Sequence, residues 1–159
     1  MKNILSAIAI AMTAQLFAQT HEIIKHNGEK LEINFIKTEA NLIYYSLPAS
    51  AEEHKISRYA VAQLNEKVYN KSQTVTKKID LIDKSDYKKV IVLQETETVG
   101  LKKSSDLSGF LGKVKGETRW TMAEMGEMHL KQYAAKKGYQ FIVITSNKTD
   151  NLKAVAYTY

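Results

Sequence analysis

The sequence predicts an α+β protein: an N-terminal antiparallel β-meander followed by a small α/β domain, with one main helix packed on a mostly antiparallel sheet. Three observations lead to this class. Short segments of alternating apolar and polar residues run through 21–70, one long segment at 118–137 has apolar residues at helical spacing, and two apolar strand-like runs follow it. The expected divisions are a signal peptide at 1–18, a β-meander subdomain at 19–71, a connecting segment at 72–86 and the α/β domain at 87–159.

The first 18 residues have the pattern of a cleavable export signal. Lys2 supplies a short positive start, Ile4 to Met12 form the apolar centre, and Ala18 is a small residue at the expected cleavage position, with Ala14 as the alternative. A membrane-spanning helix needs roughly 20 apolar residues. We therefore expect an exported protein, periplasmic or secreted, and not a transmembrane one.

Five strands are expected in the meander. Between the first two, Asn27-Gly28 predicts a type I′ turn, in which both residues take positive φ angles. Pro48, the only proline, is expected to end the third strand. The predicted strands are His21–His26, Lys30–Lys37, Leu42–Leu47, His54–Tyr59 and Lys67–Asn70, with a short turn or helix at Ala60–Leu64.

The second half has a different pattern of apolar and polar residues. Val90–Leu93 is a continuous apolar run, typical of a strand covered on both faces. A glycine-punctuated loop is expected from Gly100 to Gly116. The helix is expected over Thr118–Lys137, because Gly138 is a good C-terminal stop. Two strands, Phe141–Ile144 and Leu152–Tyr159, complete the order strand, loop, helix, strand, strand, and the inward helix face is expected to hold Met122, Ala123, Gly126, Leu130, Tyr133 and Ala134.

Charge and cysteine content restrict the partners. The chain has no cysteine, which excludes disulfides and lipid attachment through cysteine. Residues 19–70 carry six Lys and Arg against seven Glu, whereas residues 71–159 carry sixteen Lys and Arg against ten acidic residues. A basic half favours an anionic envelope component or an acidic protein as partner. Nucleic acid is not expected for an exported protein, and the oligomeric state is left open.

No motif indicates catalysis. The sequence lacks a nucleophile elbow, a His-Glu-x-x-His helix, a Walker loop and a dinucleotide fingerprint. A glycine-rich loop before the helix suggests a phosphate-binding site, because a helix N-terminus behind glycines can hold an anion. The residues of this hypothesis are Gly109, Gly112, Gly116, Lys113 and Lys115. We expect neither an enzyme nor a cofactor.

Two patterns suggest a copper site. Met122, Met125 and Met128 precede His129, and thioethers with an imidazole suit Cu(I). At helical spacing the three methionines spread around the axis, so core packing is the favoured interpretation. After cleavage at Ala18 the chain would begin Gln19-Thr20-His21, a pattern that can bind Cu(II) or Ni(II), although an N-terminal glutamine readily cyclises. The metal-ligating residues therefore stay undetermined.

The remaining histidines and the aromatic residues have simpler interpretations. His26 and His54 lack ligand partners at metal-binding spacing and are expected on strand surfaces. Aromatic residues among lysines could stack on bases or sugars, but packing of helix on sheet is the favoured role for Trp120, Tyr139, Phe141, Tyr157 and Tyr159.

Two resemblances follow from short segments. The pattern Ile24-x-x-x-Gly28-Glu29-x-Leu31, with Ile36, Ile43-Tyr44 and Ile56-Ser57, resembles the opening meander of uncharacterised exported proteins of Gram-negative bacteria. The segment Ala134–Val143 resembles the helix-glycine-strand junction of a small α/β family named for heavy-metal binding, but the paired glycines that precede the helix in that family are absent. These resemblances imply a fold more than a function.

Together the observations favour an exported, non-enzymatic binding or envelope-accessory protein of unknown ligand. A periplasmic copper-type metal-binding protein is the alternative, and an enzyme of unrecognised class is the second alternative.

Overall fold

The computed structural model describes residues 21–48, 50–112, 116 and 118–159. The predicted signal at 1–18 lies outside the described residues. Two compact units are present, one ending at Thr76 and the other covering Lys77–Tyr159. The predicted α+β class is confirmed, since the first unit is a sheet and in the second unit one long helix packs on a sheet. The division falls within the predicted connecting segment, 72–86.

The first unit is a six-stranded antiparallel sheet in the order β4-β3-β2-β1-β5-β6. Strand β2 is long enough to pair with β1 along its first half and with β3 along its second, and the pairing register shifts at Ile36. Ile23 in β1 and Ile33 in β2 are fully buried. The strands are β1 His21–Lys25, β2 Lys30–Glu39, β3 Leu42–Ser46, β4 Glu53–Ser57, β5 Val61–Glu66 and β6 Lys71–Thr74.

The turn between β1 and β2 differs from the type I′ prediction. Of Asn27 and Gly28, only Gly28 has a positive φ, 88°. The Gly28 N–H donates to the Lys25 carbonyl at 3.0 Å, and the Asn27 side-chain oxygen accepts from the Glu29 N–H at 3.0 Å. The loop therefore has three residues and ends with the glycine in the left-handed region. Since the Asn27 side chain binds the backbone, Asn27 need not adopt a positive φ.

The prediction for the fifth strand is wrong. Lys67–Asn70 forms the turn, with Asn70 at φ 49°, and the strand lies earlier, at Val61–Glu66. Val61 is fully buried, so this segment enters the sheet beside β1. Residues 71–74, which were predicted to lie mostly in the connecting segment, form edge strand β6. All four side chains of β6 are exposed, so the sequence has no apolar pattern there that would predict a strand.

The second unit contains a four-stranded sheet and helix α1, Arg119–Lys136. The sheet order is β7-β9-β10-β8, with β7 parallel to β9 and the other pairs antiparallel. Because β8 and β9 are both antiparallel to β10, they run in the same direction, and the chain crosses between them through α1 as a split β-α-β unit. The strands are β7 Ile91–Val92, β8 Lys102–Gly109, β9 Phe141–Lys148 and β10 Asn151–Thr158.

Two strand predictions in this unit need correction. The expected loop at Gly100–Gly116 contains β8, in which Leu107 is the one fully buried side chain. The expected doubly covered strand Val90–Leu93 is reduced to the two-residue edge strand β7. Val92 is 38% exposed, and the buried members of the run, Val90 and Leu93, flank the strand.

Helix α1 begins and ends where local signals predicted. The Thr118 hydroxyl accepts from the Thr121 N–H at 3.2 Å, and Gly138 follows Lys137 with φ 76°. Its buried face contains Met122, Gly126, Leu130, Ala134 and Ala135, together with the half-buried Ala123. The prediction that Tyr133 faces inward is wrong, since its side chain is 43% exposed.

At Gly126, α1 approaches the sheet closely. A Cβ atom there would lie 2.8 Å from Leu152 Cδ2 and nearer still to Asn147 Oδ1. The Asn147 amide is held in place because it donates to the Ala123 carbonyl at 2.9 Å. The absence of a side chain at Gly126 therefore permits this packing.

Gly126→Ala is expected to destabilise the second unit by about 1–3 kcal/mol, measured by urea unfolding. Overpacking costs about 1–3 kcal/mol, and displacing the Asn147 hydrogen bond adds to this cost. The better helix propensity of alanine offsets up to about 1 kcal/mol. The double variant G126A/N147A tests the cause, since the clash should then be partly relieved. Equal stability of G126A and the native chain would contradict the close approach.

Candidate functional site: a basic surface on the second unit

A 3-10 helix at Lys84–Lys89 packs against α1. The two carboxylates near its start, Asp83 and Asp86, already accept hydrogen bonds. Asp83 accepts from the Ser85 N–H and hydroxyl at 2.7 and 2.6 Å, and these bonds lower its pKa. Asp86 pairs with Lys89 at 2.8 Å and accepts from the Ile82 N–H at 2.8 Å. The bond to Lys89, followed by the one to Ile82, lowers the Asp86 pKa. Both carboxylates therefore already have local partners.

A groove of about 140 Å³ lies between this 3-10 helix and α1. Four of its lining residues follow one another along α1 at spacings of three, one and three residues, which places them on one stripe of the helix. Lys84 faces them from the 3-10 helix. No carboxylate is among the lining residues, which are Lys84, His129, Gln132, Tyr133 and Lys136.

Several lysines of these two elements make no ion pair with a described residue. Lys131 pairs with Glu127 at 3.3 Å, as Lys89 does with Asp86. Four others make no ion pair with any residue that the structure describes, and we refer to them as the basic surface: Lys84, Lys88, Lys136 and Lys137.

A local structural role accounts for only part of this charge. Lys136 and Lys137 lie at the C-terminal end of α1, where cations interact favourably with the helix dipole. Lys88 lies in the last turn of the short 3-10 helix, and Lys84 contributes a little to the lowered pKa of Asp83. The sequence did not identify this surface because Lys84 fell in the predicted connecting segment, and only the packing of that segment on α1 brings it beside Lys136.

The structure does not place the three methionines in one environment. Met122 is in the core at 9% exposure, Met125 is half-buried and Met128 is 38% exposed. His129 lines the groove described above. Within the described part of the chain, no group of three or more His, Cys, Asp or Glu is arranged to bind a metal ion.

The histidines of the first unit have contacts of other kinds. Gln19 and Thr20 of the hypothetical N-terminal copper pattern lie outside the described residues. His21 is in β1, with its ring centroid 5.2 Å from that of Phe35. His26 contacts the Thr76 hydroxyl at 2.8 Å. The ring centroid of His54 is 5.7 Å from that of Tyr45.

The aromatic prediction is confirmed for Tyr139, which packs against the core cluster that α1 forms with the sheet, and is wrong for Trp120; Phe141 lies outside that cluster. Phe141 is fully buried, and the Tyr159 ring meets it edge-on with a centroid distance of 5.2 Å. Trp120 is 75% exposed, and its ring N–H donates to the Glu124 carboxylate at 2.8 Å.

The hypothetical phosphate-binding glycine loop lies only partly within the described residues. Gly109 is the last residue of β8, while Lys113 and Lys115 lie outside the described residues.

Comparison with protein-family models, curated proteins and solved structures found no match. The two resemblances noted in the sequence therefore remain predictions. In the described ranges, no helix combines the length and the apolar character needed to cross a membrane.

Proposed function

We propose that this chain is an exported, non-enzymatic binding module that docks on an anionic membrane surface through Lys84, Lys88, Lys136 and Lys137. The observation that carries the proposal is the groove that Lys84 and Lys136 both line, with no carboxylate among its lining residues. The export pattern of residues 1–18 and the basic second half support an envelope location and an anionic partner.

The strength of such docking follows from the number of lysines. Each lysine near an anionic leaflet contributes about 1 kcal/mol, and the attraction decays within about 8 Å at physiological ionic strength. Four lysines would support reversible adsorption rather than permanent anchoring. The binding should therefore weaken strongly as salt is raised.

The test is cosedimentation with vesicles of phosphatidylglycerol and phosphatidylcholine, compared with pure phosphatidylcholine vesicles. We expect binding only to the anionic vesicles. Replacing the four lysines of the basic surface with glutamine should reduce the apparent affinity at least about 10-fold, because most of the favourable charge is lost. Urea unfolding of the variant separates this effect from the small cost of losing Lys136 and Lys137 at the helix end.

A matched control removes the same charge from other exposed positions of the second unit. The control substitutes glutamine at Lys77, Lys102, Lys148 and Lys153. It should retain most of the vesicle binding. Equal losses in both variants would show that net charge alone is responsible, and absence of binding to anionic vesicles would overturn the proposal in favour of a different partner, such as an acidic protein.

A further inference from the structure

A cavity of about 180 Å³ lies in the first unit. It is lined from β2 and β3 on one side and from β5 and β6 on the other. Three strands separate β3 from β6 in the sheet order. Residues from both can line one cavity only if the sheet curls strongly, as twisted sheets with bulges do.

The cavity is lined by both apolar and polar side chains. Ile43, at 1% exposure, and the half-buried Leu64 and Val75 supply the apolar part. The exposed residues Thr38, Gln73 and Thr74 supply two hydroxyls and an amide. A ligand that fits this division has a short apolar body and a polar head.

Arg58 lines the same cavity and is half-buried. It is one of only two arginines among 23 basic residues. Its backbone is held on both sides, since its N–H donates to the Asn41 carbonyl at 2.8 Å and its carbonyl accepts from the Thr76 hydroxyl at 3.3 Å. Its guanidinium makes no hydrogen bond or ion pair with any residue in the described part of the chain.

Arg58 is half-buried and makes no ion pair with any described residue, so its guanidinium is available to an anionic ligand. The planar fork of arginine matches the two oxygens of a carboxylate, a geometry that lysine does not provide. The cavity has room for several water molecules or for a small ligand. A free inorganic anion would make no contact with the apolar side chains of Ile43 and Leu64.

We propose that this cavity is a binding site for a small carboxylate with a short aliphatic body, either a free acid or the C-terminal carboxylate of a peptide. Arg58 binds the carboxylate, Thr38 or Thr74 donates a further hydrogen bond, and the aliphatic body lies against Ile43 and Leu64. This site is independent of the basic surface on the second unit.

The test is an amide NMR titration of the full chain with butyrate as the probe. Saturable shifts are expected at residues 38, 43, 58, 64 and 73–75. The neutral isostere butyramide, which lacks the charge, should bind at least about 10-fold more weakly. The same is expected of acetate and inorganic phosphate, which are charged but lack the aliphatic body. N-acetyl-dialanine with a free C-terminus distinguishes the sources: tighter binding than butyrate identifies a peptide end, and weaker binding a free acid.

Arg58→Lys keeps the charge and should weaken butyrate binding at least about 10-fold, because the bidentate geometry is lost. Gln73→Leu changes an exposed edge-strand residue and provides a second, fold-neutral test, with a smaller loss expected. Lys55→Met removes an exposed charge from the same unit and should change the affinity less than twofold. Equal binding of butyramide and butyrate, equal losses in Arg58→Lys and Lys55→Met, or no saturable shifts would overturn the proposal.

Discussion

Replacing Phe141 with alanine is expected to lower the free energy of unfolding of the second unit by about 3–5 kcal/mol. Phe141 is fully buried and is the largest of the completely buried side chains. Its loss removes the transfer energy of an aromatic ring and leaves a cavity next to Tyr159, whose ring meets it at a centroid distance of 5.2 Å. Urea unfolding followed by circular dichroism measures the effect.

The same variant gives a second readout in Tyr159. Burial raises the pKa of its hydroxyl above the usual 10.0, while the hydrogen bond from the Ile79 N–H opposes that shift. Exposure of the ring in Phe141→Ala should bring this pKa back towards its usual value, which an ultraviolet titration detects. Trp120→Ala, which truncates an aromatic residue that is 75% exposed, is the control and should change stability by less than about 0.5 kcal/mol. Similar losses in the two variants would contradict the burial of Phe141.

Truncation of the three helix methionines to alanine is expected to give a graded loss of stability. Met122→Ala should cost about 2–5 kcal/mol, because Met122 is 9% exposed and packs in the core. Met125→Ala should cost less, since its side chain is half-buried. Met128→Ala should cost least, since its side chain is 38% exposed. The three unfolding curves should be recorded under identical conditions.

The gradient distinguishes core packing from a copper site. Recording the unfolding curves with and without Cu(I) under reducing conditions should give the same order in both cases, and no stoichiometric copper uptake is expected. A metal site would instead link the three residues, so that each change lowered uptake while the metal-free stability stayed nearly constant. That outcome would refute the core interpretation of the methionines.

Local signals in the sequence were sufficient for the helix and for the overall class. Thr118 and Gly138 mark the ends of α1 because a capping hydroxyl and a left-handed glycine act on the backbone within one turn. The first hairpin was located for a similar reason, although its turn type was not, since the Asn27 side chain competes for a backbone N–H. The apolar β9 segment beginning at Phe141 was recognised from composition alone.

Edge strands and surface sites could not be predicted from the sequence because they depend on tertiary packing. Strands β6 and β8 are largely polar, and each is an edge strand stabilised by backbone hydrogen bonds to a single neighbour. The groove at Lys84 and the cavity at Arg58 likewise collect residues from distant parts of the chain. Composition and periodicity report which side chains avoid water, and hence the class and the helix. They do not show which backbone groups pair across a sheet. That pairing determines which strands lie at the edges, how the sheet curves and which residues surround each charged side chain.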